Sequence, residues 1–269
     1  MRSILPLSPL CLAASLCATV PAALAQHAPL PEGLVGADIR RGWATETGTH
    51  MAALDLRLAP GWKTYWRMPG EAGVPPVLNF AGSHNLKDVR VIWPAPEVFD
   101  QNGMRTVGYH DALLLPLEIT PVEPGVPVDL EAQLDFGICH EICVPVQLDL
   151  SAWLAGPGAP DGDISAALAA EPKPRSGLAR CTVAPIRDGM RVEAQIDLPP
   201  APGEVALLEL RSRPIWVSDP MISRDGGTLL ASAEFVPETG APFALDPQDL
   251  RITVVSAAGA IEIDGCPSP

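Results

Sequence analysis

Basic charge is in short supply in this sequence: 18 Lys and Arg stand against 32 Asp and Glu, a net charge of −14 at pH 7. A chain of that sign repels phosphate backbones and anionic headgroups, which argues against nucleic acid and membrane surfaces as partners. After the first 25 residues, no run approaches the roughly 20 apolar residues that a membrane helix needs. No membrane insertion is therefore expected of the mature chain. A G-x-S-x-G elbow, a glycine-rich phosphate loop and an H-E-x-x-H pair are also missing, as is the C-x2-C-H of covalent haem attachment. Hydrolase, nucleotide and haem chemistry lose their sequence case, and no cofactor is expected.

The first 25 residues carry Arg2, an apolar run from Ile4 to Val20, and the small-x-small ending Ala23-Leu24-Ala25. This is the pattern of a secretory signal peptide cleaved after Ala25. Pro6 and Pro9 interrupt the run, and no stop-transfer pattern follows, which argues against an uncleaved anchor. Cleavage would remove Cys11 and Cys17 and leave four of the six cysteines. An even number in an exported chain points to an oxidising compartment.

Thirty-one prolines and 23 glycines between short alternating runs suit an all-β protein. Strands are expected at Met51–Leu58, Val89–Trp93, Leu113–Ile119, Val128–Phe136 and Val144–Leu150. A Pro-, Gly- and Ala-rich stretch over 156–178 reads as a linker, with a short helix after Asp163 as its cap. Strands resume at Arg191–Leu198, Ala206–Leu210, Thr228–Phe235 and Leu250–Val255, with a hairpin turn over Arg224–Gly227. The expected organisation is a β domain over 26–155 and a smaller one over 179–269.

The cysteines fall into two pairs by position. Cys181 opens the second β segment and Cys266 closes it. The chain-entropy model gives roughly 4.6 kcal/mol for that bridge against roughly 2 kcal/mol for Cys139 to Cys143. The long-loop pair reads as a staple. In "DFGICHEICVP", a fully extended path would put the two Cα atoms about 13 Å apart, beyond the roughly 7 Å a disulfide spans, so His140, Glu141 and Ile142 must turn. A small, exposed ring of this kind favours reversible exchange. An inert local bridge and a copper(I) clamp of Cys139, Cys143 and His140 remain alternatives. Zinc fits less well, since the stretch supplies at most three ligands.

The stretches "GWKTYWRMPGEAGVPP", "IWPAPEVF", "GYHDALLLPLEI" and "DFGICHEICVP" together resemble the N-terminal periplasmic domain of the DsbD family of thiol:disulfide interchange proteins. The copper-sensitivity-suppressor branch, ScsB, is the most similar in pattern. The resemblance runs over roughly Leu30–Leu154, and the part after Gly177 is similar to a companion β domain in some relatives. It implies an immunoglobulin-like β-sandwich whose cysteine pair carries electrons. They would come from a membrane-embedded transporter or thioredoxin-like protein and pass to periplasmic clients, serving disulfide reduction, cytochrome c maturation or copper tolerance. It further implies that Cys143 forms the mixed disulfide, Cys139 resolves it, Phe99 caps the pair and Tyr109 supports that region. His140 and Glu141, between the cysteines, act on the thiols with opposite sign. Two departures stand out: three residues rather than five separate the cysteines, and the family's transporter and thioredoxin-like modules do not follow in this sequence. Electrons are therefore expected from a separate protein.

Overall fold

The computed structural model describes residues 30–70, 73–101 and 103–267. The expected signal segment lies outside the described residues. In the first half the strands are β1 (Leu34–Ala44), β2 (His50–Leu58), β3 (Lys63–Gly70), β4 (Val77–Asn79), β5 (Leu86–Val91), β6 (Glu97–Gln101), β7 (Met104–His110), β8 (Ala112–Pro121), β9 (Val128–Cys139) and β10 (Cys143–Leu154). The helix α1 (Gly162–Ala169) and the strand β11 (Lys173–Arg175) follow. The rest of the chain forms β12 (Ala179–Pro185), β13 (Met190–Asp197), β14 (Val205–Leu210), β15 (Trp216–Val217), β16 (Met221–Asp225), β17 (Thr228–Val236), β18 (Leu250–Ser256) and β19 (Gly259–Asp264). The fold is all-β, as the turn chemistry implied.

Each half is a pair of sheets. In the first, β1-β2-β8-β5 faces β10-β9-β3-β7-β6, with β4 also paired to β9. In the second, β11-β19-β18-β14 faces β12-β13-β17-β15, with β16 also on β17. Strand β9 shows why the sequence folds this way. Val128, Leu130, Ala132, Leu134 and Phe136 are buried, while Glu131, Gln133 and Asp135 between them are exposed. This is the period of two that a half-buried strand requires.

Strand β2 departs from that pattern, because all but Arg57 of its residues are buried. Ala52, Leu54 and Leu56 enter the sandwich core, while Met51 and Ala53 pack with Ile92 and the fully buried Ile164 of α1. The helix thus roofs the outer face of its sheet, and burying Ile164 contributes about 1.5–3 kcal/mol. Asp161, not Asp163, is its N-cap, accepting from the backbone N–H groups of Asp163 and Ile164 at 2.8 and 3.2 Å. Asp163 instead joins Asp55 and Asp161 around the Arg40 guanidinium. The segment expected as a linker therefore holds a docked helix, together with a strand, β11, that runs parallel to β19.

The Asp161 carboxyl lies below its ordinary range, chiefly because the Ile164 N–H donates to it. Replacing Asp161 by Ala should cost about 1 kcal/mol at neutral pH in a urea titration. A group whose folded value is depressed stabilises above its unfolded value and loses that contribution as pH falls through the folded one. The wild-type advantage should therefore vanish on acidification below about pH 4.

Strands β14, β18 and β19 send buried residues to both sides. Ala206, Leu208, Leu210, Ile252, Val254 and Ile263 fill the second sandwich, whereas Val205, Leu207, Val255 and Ala260 join the apolar cluster of the first. On that shared face, Arg67 of β3 binds Glu209 at 2.9 Å and Glu262 at 2.6 Å. Burial pushes the Glu209 carboxyl up, and the Arg67 charge opposes the shift. Arg105 and Asp219, 3.1 Å apart, make a second ion pair between the halves. Within the second half, Cys181 and Cys266 are bonded and fully buried, with Cα atoms 5.5 Å apart. That bridge ties β12 of one sheet to the segment leaving β19 of the other.

Candidate redox site

Strands β9 and β10 form a continuous antiparallel ladder whose last pair is Cys139 opposite Cys143. His140, Glu141 and Ile142 make the turn, closed by the His140 N–H donating to the Ile142 carbonyl at 3.1 Å. The turn brings the two Cα atoms to 4.1 Å and joins the cysteines in a disulfide. Their surroundings are unequal: Cys139 is 0 % exposed, whereas Cys143 is exposed at the hairpin end.

Strand β3 builds the floor beside them. Lys63 is the cross-strand partner of Cys139 on one side and of His110 on the other. Tyr65, two residues on, shares its face, as alternate residues of a strand must. The Tyr65 Oη lies 2.8 Å from Cys139 Sγ and 3.5 Å from Cys143 Sγ. Gly108 is its cross-strand partner, where a Cβ would run into the Thr64 carbonyl, and Gly137 lies beside its ring, 3.4 Å from Tyr65 Cε2 for a Cβ placed there. Gly73 also lies against the ring, since a Cβ there would meet Tyr65 Cδ1 at 2.8 Å. Burial raises the phenol of Tyr65 above its ordinary value, so it stays protonated at neutral pH.

Phe99, on β6, is half-buried. Its ring meets His110 edge-on with centroids 4.1 Å apart and lies 5.3 Å from the Lys63 ammonium, whose pKa burial lowers. His110 in turn places Nδ1 3.2 Å from Glu97 Oε2. A row of side chains thus runs from Phe99 through Lys63 to the cross-strand partner of Lys63, Cys139. Tyr109 points into the core and donates its hydroxyl to the Pro94 carbonyl at 2.8 Å, tying β7 to the segment that leads into β6. Burial holds that phenol well above its ordinary value. His140 stacks on Trp62 with centroids 6.0 Å apart, over Gly61 at φ +80°, where a Cβ would come within 3.1 Å of the imidazole. Glu141 is exposed, and so is Ile142, at 64 %.

No group of three or more His, Cys, Asp or Glu among the described residues is placed to hold a metal ion. Of the three residues considered for copper, Cys139 and Cys143 are bonded to each other and His140 lies on Trp62. Tyr65 and Lys63 were not singled out in the sequence. Their signal was the spacing of alternate residues in "GWKTYWRM", which sets both on one face of a strand, but nothing there said which strand would pair beside Cys139.

Residues 37–154 match the family model described as the N-terminal part of thiol:disulfide interchange protein DsbD. This region is similar to a DsbD N-terminal domain. The match ends at the last residue of β10 and includes both cysteines of the hairpin. The crystal structure of the N-terminal periplasmic domain of ScsB from Proteus mirabilis is similar over 87 % of this chain and 92 % of that one, with a TM-score of 0.60 and 24 % identity. That likeness concerns the fold, and it extends past the DsbD-matching region into the second β half. No curated protein matches the chain. No helix among the described residues is long and apolar enough to cross a membrane.

Proposed function

We propose that this protein is a periplasmic electron carrier that passes reducing equivalents through Cys139 and Cys143. The observation that carries the reading is the inequality of the two sulfurs: one is open to a partner and the other is enclosed. A thiolate of an incoming protein needs an in-line path to the sulfur it attacks, and the exposed Cys143 offers one. In the reduced protein the Cys143 thiolate attacks a client disulfide, and the client's first sulfur leaves. Cys139 then attacks Cys143 Sγ, re-forming the internal bridge and expelling the second client sulfur, which is protonated by solvent. Two electrons pass to the client, and the Cys139–Cys143 bond is the oxidised product. Re-reduction by a thioredoxin-like module of a membrane-embedded transporter runs the same steps backwards. Exposed Val74, Val77 and Ile142 give such a partner an apolar rim near the hairpin end. Disulfide reduction, cytochrome c maturation and copper tolerance are the processes this activity would serve.

Equilibration of the pair with glutathione buffers tests the reading. A potential above about −300 mV with exchange against a reduced thioredoxin-like donor is expected, whereas a lower value would make the bridge a structural staple. Phe99 is assigned as the cap, supported by its position over Lys63 and beside His110. Replacing Phe99 by Ala should speed alkylation of the reduced pair roughly threefold or more by opening its approach. Unchanged alkylation kinetics would remove the cap.

A further inference from the structure

We propose that the Tyr65 hydroxyl donates a hydrogen bond to the Cys139 thiolate whenever the Cys139–Cys143 bond opens, making Tyr65 a catalytic residue of the exchange. The inference rests on the electron-carrier reading and adds a third residue to it. When a donor thiolate attacks Cys143 Sγ, a bond forms between those two sulfurs. The internal bond breaks at the same time, and its electron pair departs on Cys139 Sγ. In the opposite direction the same atom must be anionic in order to attack. Cys139 is 0 % exposed, so water cannot solvate that charge. Burial alone would hold its thiol protonated and make it both a poor leaving group and a poor nucleophile.

The Tyr65 Oη, 2.8 Å away, is placed to supply what water does not. A pre-positioned donor aimed at developing charge in an enclosed site acts most strongly on the transition state and needs no reorganisation. The phenol remains a donor at neutral pH, since its own deprotonation is disfavoured by burial. Its 3.5 Å distance to Cys143 Sγ keeps the oxygen between the two sulfurs, so the bond can form as the pair separates. Gly137 and Gly73 lie against the ring, where Cβ atoms would stand 3.4 and 2.8 Å from it. A purely space-filling role would depend on the ring alone, and Tyr65→Phe separates the two, because it keeps the ring and removes the oxygen.

Two measurements decide the matter. First, the oxidised protein is reduced with dithiothreitol across a pH series. Tyr65→Phe, checked for an unchanged circular dichroism spectrum, should react at least about tenfold more slowly than wild type. Equal rates and equal pH profiles would overturn the proposal. Second, Cys139 is titrated by thiolate absorbance in a Cys143→Ser protein that retains Tyr65. Its pKa should lie at or below the ordinary thiol value of about 8.5 despite burial, and a value above about 10 would overturn the proposal even if Tyr65→Phe did not fold. Lys63, Glu97, His110, His140 and Glu141 are titratable groups on this face or in the hairpin turn. All are retained in both proteins, so a difference between their pH profiles reports the hydroxyl. A wild-type bridge that resists thioredoxin-like donors would defeat the carrier function, while a wild-type protein that exchanges no faster than Tyr65→Phe would defeat only the role of Tyr65.

Discussion

Cys139→Ser is expected to accumulate a mixed disulfide with donor or client through Cys143, nearly one per molecule, because the resolving sulfur is gone. Cys143→Ser should form almost none and lose exchange by about three orders of magnitude or more, since its remaining thiol is enclosed. Non-reducing electrophoresis after mixing with a thioredoxin-like partner reads both outcomes. The expectation follows from burial: with Cys139 0 % exposed and Cys143 exposed, an external sulfur can reach one of them without unfolding the hairpin. Trapping through Cys139 alone would reverse the roles assigned to the two sulfurs.

The other large effect belongs to the second half. Replacing both Cys181 and Cys266 by Ala should lower stability by about 4–5 kcal/mol, against about 2 kcal/mol for the corresponding change at Cys139 and Cys143. The difference comes from the denatured chain: the long-range bridge closes a separation of 85 positions and the hairpin bridge one of only 4. Both sulfurs of the long bridge also lie in the core between the two sheets, so their removal leaves space as well as slack. Urea midpoints of the two double variants should therefore differ widely. If they coincided, the long bridge would contribute far less than its span implies.

Much of this fold was legible as alternation. Strands β8, β9, β13 and β17 were expected close to where they lie because one face of each is apolar, β2 and β18 because they are short, mostly apolar runs, and the turns around them carry Pro, Gly or Asp. The turn in "RDGG" also holds, with Asp225 opposite Thr228 across Gly226 and Gly227. Strands β3, β6 and β7 were not anticipated. Their side chains divide between a core face and a face occupied by the cysteine hairpin or the second half, so neither period nor polarity marks them. The helix cap was misplaced by two residues, because Asp161 and Asp163 are chemically equivalent candidates and only the backbone path distinguishes them.

The site divided in the same way. The cysteine pair was visible, because spacing and an exported context point to it without any tertiary information. Tyr65 was not, because its function depends on a pairing between strands more than 70 residues apart, which no local pattern encodes.

Strand β3 carries one more implication. Tyr65 touches the sulfur, and two residues further along the same strand Arg67 is clasped by Glu209 and Glu262 from the other sandwich. The second half is thus a splint fastened within one side-chain repeat of the chemistry. A tilt of one sandwich against the other would be felt first along the very strand that steadies the reactive sulfur.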